Sequence, residues 1–410
     1  MTSDATELAY AAVGELLSVS EALEAILSRA KPLPAERVPI AEARGRVLAS
    51  AARAVVDLPP FASSAMDGFA VRAEDTPGEL PVVFRVAAGG PAQRPLAAGE
   101  AMGIATGGVV PEGADTVIPI EYVVDHDNKI EIREAAATGA HIRPRGGDLR
   151  AGDAVVEAGV RLGAAQLGAL AAAGVAEVEC ALRPRAAVAT TGTELRRPGE
   201  ALGPGQIYEA NGLILAAQLE GAGAVVELSE AVADDEDAHR SALERGLAAD
   251  VLVTSGGVSV GPRDLVRQVE AELGVEEVFW RVAVKPGKPI AFGVRGETLV
   301  FGLPGNPVSA LVGFELFVRP AVLALQGAAD PRPRFRRGRL AAAARRNGGR
   351  DELIRARTST DGDGVTVLDP LRGQESHMIG QAAGADALVL VPRGDGELPA
   401  GATVEYLALE

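Results

Sequence analysis

The sequence predicts a multidomain protein of the α/β and β classes, and three observations predict it. Between about residues 186 and 325, strand-like apolar runs alternate with helical runs, the pattern of a doubly wound, mostly parallel sheet covered on both faces. From Pro59 to Ala137 the texture changes to short β-like runs broken by Gly and Pro turns, a β-rich unit inserted into the N-terminal region. From about Asp330 short strands return, separated by the turns NGG, DGDG and RGDG, which predicts a small barrel or sandwich. At 410 residues the chain is long enough for two to four domains, each with its own core.

The elements follow in order. SVSEALEAILSRA, residues 18–30, has Leu and Ile at helical spacing behind serines able to cap it, and it stops before Pro32 and Pro34. In the β-rich stretch VVFRVAA, AMGIATGG, DTVIPIEYVVD and KIEIREA are the strand candidates, the last after the polar turn HDN. Gly163 to Ala173 reads as a helix, with Gly174 placed as its left-handed terminating residue. AAVATTG is a strand, NGLILAAQLEGAG a helix with a Gly stop, and AVVELSEAV a strand. DDEDAHRSALERGLAA is a helix whose acidic start suits its own dipole. DVLVTSGG, PRDLVRQVEAEL, VFWRVAV, PIAFGV, TLVFGLPGN and the single long helix VSALVGFELFVRPAVLAL complete the series.

Composition excludes several functions. The formal net charge of −16 argues against nucleic-acid or anionic-membrane binding, both of which need a broad basic surface. A small anionic ligand stays compatible, because charge is uneven: residues 331–357 hold ten arginines against Asp351 and Glu352, with Arg281, Lys285 and Lys288 nearby in sequence. A solvated basic face is the alternative to a ligand-binding one. One cysteine, Cys180, excludes an internal disulfide and any Cys-x-x-Cys site. The first ten residues carry acids and no basic segment, and the apolar stretch Leu162 to Leu182 is broken by Gln166, Glu177 and Glu179, so a cytoplasmic protein without a membrane span is expected.

In a doubly wound sheet ligands sit at the carboxyl ends of the strands. Those ends are TTGTE (190–194), TSGG (254–257) and LPGNP (303–307). Gly257-Val258-Ser259-Val260-Gly261 fits the G-x-S-x-G pattern of a hydrolase elbow. Only His377 follows Ser259 as a triad partner, and it lies in another predicted domain. An anion cradle accounts for more: Ser255, Gly256 and Gly257 let backbone N–H groups converge, and Pro262 opens the next helix, whose N-terminus favours negative charge. A tight strand-to-helix turn without a ligand is the plainer alternative. Asp234 and Asp264, each near a helix start on this edge, suit either a Mg²⁺ site beside phosphate or ordinary capping. Lys285 and Lys288 in VKPGKP repel each other unless an anion is shared. In GLPGNPVSA, Asn306 reads equally as an N-cap and as a ligand residue.

Assembled in order, SSAMDGFAVR (63–72), TGGVVPEGADTVIP (106–119), RPRGGD (143–148), TTGTEL, TSGGVSVGPRD, VKPGKP, GLPGNPVSA, GRDEL (349–353) and ESH (375–377) resemble the molybdopterin molybdenumtransferases, the MoeA-type enzymes that include the gephyrin E domain. The resemblance runs from about residue 18 to the C-terminus. It implies an α/β domain of the molybdopterin-binding type, an inserted β-rich domain, an elongated N-terminal region and a C-terminal small β-barrel. With the changes of texture it divides the chain into 1–45 with 146–180, then 46–145, 181–329 and 330–410. It also implies an elongated homodimer whose cleft is bordered by both subunits.

The implied reaction binds adenylylated molybdopterin, places molybdate on its dithiolene and hydrolyses the adenylate with Mg²⁺, releasing molybdenum cofactor and AMP; handover from the molybdopterin adenylyltransferase is implied with it. By position in the motifs, Asp234 and Asp264 match the acids associated with Mg²⁺ and phosphate. Lys285, Lys288, Arg350 and Ser376 match positions lining the molybdate and pterin region. Asp67, Thr106, Asp148 and Glu194 match polar positions important to function, and Ser255, Gly256, Gly257, Ser259, Pro304, Gly305 and Asn306 fall in the substrate-binding loops. Asp67, Asp234, Asp264, Lys285 and Lys288 are thereby the candidate catalytic residues. Ala62, Thr193 and Asp386 depart from the pattern, standing where an acid or amide, an acid and an asparagine are common. A dimeric scaffold turned to partner binding and a nucleotide pyrophosphatase on a similar α/β domain are the competing functions.

Overall fold

The computed structural model describes residues 16–86, 89–233, 235–257 and 265–409. The chain divides into two compact units, one spanning Arg37–Glu179 and the other combining the residues before it with Cys180 onwards.

The second unit is built on a six-stranded sheet in the order Val225–Val232, Arg185–Thr191, Val251–Ser255, Thr298–Leu303, Ala291–Arg295, Glu276–Trp280. The first four strands run parallel. Ala291–Arg295 and Thr298–Leu303 are antiparallel, because only Gly296 and Glu297 separate them and so short a link closes a hairpin rather than a crossover. Gly296 takes φ +61°, as that turn requires.

Alternation along the strands makes two cores. Ala186, Val188, Val251, Val253, Leu299 and Phe301 face one side, where Leu215 and Leu219 of the helix Asn211–Gly221 meet them. Ala187, Leu252 and Val300 face the other, beneath Leu243 of Glu236–Gly246 and Val269 of Leu265–Glu272. Asp235 caps the first of these helices, accepting from the Ala238 amide at 2.9 Å. The N-terminal helix Val19–Leu27 carries a capping box, Ser18 with Glu21, and adds Ala22 and Ile26 to the first core.

The apolar run Pro307–Leu325 has the length and hydropathy to cross a membrane, yet it is 78% buried inside this unit and serves as a core helix. It is not one regular helix. Phe314–Val318 forms a π-turn between Pro307–Gly313 and Arg319–Leu325, with the Arg319 amide reaching the Phe314 carbonyl. Pro320 supplies the reason: lacking an N–H, it cannot continue the regular bonding pattern, and the preceding turn widens.

At the C-terminus Asp351–Thr360, Thr366–Pro370, Arg336–Leu340, Thr403–Ala408 and Ala387–Val391 pair in that order and close on the first, a five-stranded barrel around Leu340, Ile354, Leu368, Val389 and Tyr406. Val284–Lys285, arriving from the α/β sheet, pairs in parallel with Asp351 and Glu352.

The Arg37–Glu179 unit holds a sheet in the order Thr116–Pro119, Gly68–Val71, Ala101–Ile104, Gly78–Val86, Lys129–Ile132, Val123–Asp125. Gly68 is required there, since a Cβ would fall 2.0 Å from the Ile118 carbonyl oxygen. The helix Ala164–Ala172 ends at Gly174, φ +78°, as its position in the sequence predicts.

Candidate active site

Strand register brings the three predicted loops to one edge of the α/β sheet. Thr190 lies opposite Ser255, and Ser255 opposite Leu303. Asn211, at the start of its helix and only 9% exposed, donates one amide group to two loops: Nδ2 lies 2.8 Å from Ser255 Oγ and 2.8 Å from the Gly305 carbonyl. Ser255 Oγ donates to the Pro304 carbonyl at 3.1 Å, and the Gly256 amide to the Leu303 carbonyl at 3.1 Å. The TSGG and LPGN loops are therefore one hydrogen-bonded assembly.

Its glycines are sterically required. Gly256 takes φ +95° and Gly257 φ +66°, the left-handed region where side chains are strained. A Cβ on Gly256 would lie 2.7 Å from both the carbonyl and the hydroxyl oxygen of Thr191, and one on Gly257 2.5 Å from Val266 Cγ2. At the same edge the buried Thr190 hydroxyl has no hydrogen-bond partner among the described residues. Such an unsatisfied buried group is expected where a ligand completes the network.

Asn306 stands at the N-cap of Pro307–Gly313, yet its side chain makes no capping bond. It donates instead to Ser376 Oγ at 2.9 Å, while the Val308 amide donates to the Ser376 carbonyl at 3.1 Å. Asn306 thus takes the N-cap position that the structural reading gives it, while its side chain tethers Ser376 instead of capping the helix.

The same unit holds a cavity of about 540 Å³, with Lys285, Arg345, Arg346, Asn347, Glu352 and Gln374 in its wall. Lys285 Nζ is 2.9 Å from Glu352 Oε1, so the cation that the sequence leaves to an anionic ligand has a carboxylate of its own chain. Arg346 donates to the carbonyls of Pro392 at 3.1 Å and Arg393 at 2.7 Å. The exposed Arg345 guanidinium meets no acceptor among the described residues. The Arg350 and Gly349 amides both donate to Asn347 Oδ1 at 3.1 Å, which fixes the turn carrying Arg350. Lys288 is exposed, and its carbonyl accepts from the Val282 amide at 3.0 Å. Lys285, Arg345 and Arg346 outnumber Glu352 in this wall and leave it positive in a chain whose net charge is −16.

The Arg37–Glu179 unit holds three predicted positions. Asp67 Oδ1 accepts from the Thr106 amide at 2.7 Å and the Thr106 hydroxyl at 3.0 Å, and these bonds hold its carboxyl below the usual carboxylate range. Asp148 is exposed, its amide bonded to the Leu58 carbonyl at 2.9 Å. Its loop is anchored by Asp57, which accepts from the Ala151 amide at 2.9 Å and from Arg145 at 2.6 Å.

Other positions lie on the TTGTE loop or outside the described residues. Glu194 is exposed, with its carbonyl accepting from the Ile207 amide at 3.0 Å. Asp234, Ser259 and Asp264 lie outside the described residues. Among the described residues no group of three or more His, Cys, Asp or Glu gathers as a metal site. Of the departures, Asp386 accepts from the Thr358 amide at 3.0 Å, a bond within the barrel, and Ala62 contributes its carbonyl to the Val110 amide at 2.9 Å. Thr193 contributes its carbonyl to Arg196 at 3.0 Å.

Sequence reasoning missed Asn211, Glu352, Arg345, Arg346 and Gln374 as site residues. The arginine run was a signal without positions, and the other three are identified only by long-range contacts.

Three family descriptions match successive parts of the chain: the MoeA N-terminal region with domains I and II over residues 17–174, a probable molybdopterin binding domain over 187–324, and the MoeA C-terminal region, domain IV, over 328–409. Together with the fold they define the multidomain MoeA class. Molybdopterin molybdenumtransferase 2 of Mycobacterium tuberculosis is 38% identical over 383 residues, covering 90% of this chain and 93% of that one. The molybdopterin molybdenumtransferase of Staphylococcus aureus is 30% identical, covering 96% of both. The crystal structure of a molybdopterin biosynthesis MoeA protein from Pyrococcus horikosii superposes with TM-score 0.78 at 33% identity, covering 96% of this chain and 99% of that one. The chain belongs to the molybdopterin molybdenumtransferase family and is an enzyme.

Proposed function

We propose that this enzyme inserts molybdenum in molybdenum cofactor biosynthesis: it binds adenylylated molybdopterin, transfers molybdate to the dithiolene, and hydrolyses the adenylate to release cofactor and AMP. The observation that carries this reading is the cavity around Lys285, lined also by Arg345 and Arg346, in an otherwise acidic molecule. Molybdate is a tetrahedral dianion, and ammonium, guanidinium and hydroxyl donors supply the charge-assisted hydrogen bonds that it needs. Lys285, Lys288, Arg350 and Ser376 are assigned to the molybdate and pterin. The loop carrying Ser255, Gly256, Gly257 and Ser259, with the loop Pro304-Gly305-Asn306, is assigned to phosphate. The Thr190 hydroxyl, without a hydrogen-bond partner among the described residues, supports a ligand at that edge. Asp67, Thr106, Asp148 and Glu194 are assigned as polar positions that activity requires.

Asp234 and Asp264 are assigned to Mg²⁺, since two carboxylates with phosphate oxygens form the hard oxygen donor set that this ion takes. The ion would neutralise phosphate charge during P–O cleavage. A carboxylate orients the attacking water, and no covalent enzyme nucleophile is needed. The enzyme is proposed to act in the cytoplasm as a homodimer that takes the adenylate from the molybdopterin adenylyltransferase, with domains at 1–45 with 146–180, 46–145, 181–329 and 330–410. Purified protein mixed with adenylylated molybdopterin tests this: AMP release that requires both molybdate and Mg²⁺ supports it, and release independent of molybdate rejects it.

A further inference from the structure

Arg355 is 1% exposed and is the largest fully buried side chain in the described structure. It lies on the barrel strand Asp351–Thr360, three residues beyond Glu352, the partner of Lys285. Its guanidinium contacts no carboxylate among the described residues. Every hydrogen bond that it donates goes to one short segment: Nε to Gln374 Oε1 at 3.3 Å, Nη1 to the Met378 carbonyl at 3.1 Å, and Nη2 to the Gly373 carbonyl at 2.7 Å and the Glu375 carbonyl at 3.3 Å. Gln374 answers by donating to the Arg355 carbonyl at 2.9 Å and accepting from the Arg355 amide at 2.9 Å. The segment 373–378 is thus wrapped around a buried cation.

That segment holds two residues of the site. Gln374 is in the wall of the Lys285 cavity, and Ser376 bonds Asn306 in the LPGN loop. The Glu375 carboxylate attracts Arg355 without an ion-pair contact, and a guanidinium so buried is costly unless hydrogen bonds satisfy it; an apolar side chain of similar volume would fill the space more cheaply. Carbonyl dipoles satisfy Arg355 only while the segment keeps this one conformation. The charge therefore specifies a loop shape that an apolar residue would leave free.

We infer that Arg355 is a positioning residue, holding the 373–378 segment so that Gln374 and Ser376 face an oxyanion bound in the Lys285 cavity; this rests on the reading of that cavity as the molybdate site. Burial lowers the Arg355 pKa from its usual value, yet an arginine stays charged at neutral pH, so the device is a fixed clamp and not a pH switch.

The test uses the full-length protein with three variants. Arg355→Lys keeps a charge but loses the planar fork, Arg355→Met removes the charge, and Gln374→Leu weakens the clamp from the loop side while leaving Arg355 in place. Equilibrium dialysis with molybdate and hydrogen exchange of the 373–378 amides are measured together. Folded variants with molybdate affinity lowered about tenfold and faster exchange confined to 373–378 are expected. A purely structural role would lower the melting temperature and leave molybdate affinity at the wild-type value, which overturns the inference. Should Arg355→Lys and Arg355→Met fail to fold, hydrogen exchange in Gln374→Leu decides: faster exchange across 373–378 supports the clamp, and exchange at the wild-type rate overturns it. Wild-type protein that binds no molybdate overturns the cavity reading and this inference with it; wild-type binding with unchanged variants overturns this inference alone.

Discussion

Lys285 and Glu352 are paired twice over: their backbones are register partners where the α/β sheet meets the barrel, and Lys285 Nζ lies 2.9 Å from Glu352 Oε1. The Glu352 side chain is 11% exposed and that of Lys285 43%, so the carboxylate is held by its surroundings while the ammonium reaches towards open space. A carboxylate in that place competes with any oxyanion for the lysine.

Glu352→Gln should therefore strengthen oxyanion binding. Removing one negative charge from the cavity wall is worth about 1 kcal/mol, or roughly fivefold in affinity, at a partly exposed pair. Isothermal titration with molybdate, or with tungstate as a mimic, measures it; weaker binding in the variant would mean that Glu352 serves to aim Lys285 and not to compensate its charge.

Asn211→Ala removes a buried hydrogen bond to Ser255 Oγ and a part-buried one to the Gly305 carbonyl, and leaves the buried Ser255 hydroxyl without this donor. Unsatisfied buried groups of this kind cost about 1–3 kcal/mol. The loss should appear in urea denaturation of the α/β core, and phosphate-ester binding should weaken because the TSGG and LPGN loops lose their common tether.

Gly256→Ala and Gly296→Ala separate strain from collision. Both glycines have positive φ, but a Cβ on Gly296 meets nothing within 4 Å, whereas one on Gly256 meets Thr191 oxygens at 2.7 Å. Gly296→Ala should cost about 1 kcal/mol from backbone conformation alone. Gly256→Ala should cost more, about 3 kcal/mol, and abolish ligand binding. Melting curves of the two variants side by side provide the comparison.

Asp67 sets a pH dependence whose sign follows from its hydrogen bonds. Donation from the Thr106 amide and hydroxyl lowers its folded-state pKa, so the folded state prefers the ionised form. Its contribution is fully present above the unfolded value of about 3.9 and is lost as pH falls through the lower folded value. The stability difference between wild type and Asp67→Asn should be constant from neutral pH down to about pH 5 and shrink below pH 4. Urea midpoints measured across that range check it, and a difference that grows on acidification would contradict the assignment.

Much of the fold was legible because apolar alternation has a period that burial enforces. Ala186, Ala187 and Val188 point to opposite cores in turn, and the pattern shows in the residues themselves. The antiparallel edge was less legible: AFGVR and TLVFGL look the same whichever way they pair, and only the two-residue Gly296-Glu297 spacing betrays the hairpin. The π-turn before Pro320 was masked by unbroken helical hydrophobicity.

The site divides in the same way. Gly256 and Gly257 announced themselves because a left-handed turn at a strand end needs glycine. Glu352 as the partner of Lys285 was illegible, since the pairing depends on a barrel strand docking beside the α/β sheet. Arg355 was hidden among ten arginines. Its flanking residues, Ile354 and Ala356, were the available signal that it enters a buried strand.

Molybdate binding to wild type and to Lys285→Gln tests the central claim most directly. Equilibrium dialysis should show one molybdate bound per wild-type chain, and an affinity reduced more than tenfold in the variant at an unchanged melting temperature, the loss expected for a charge-assisted contact. Equal affinity in the two proteins, both folded, would contradict the assignment of the cavity to an oxyanion.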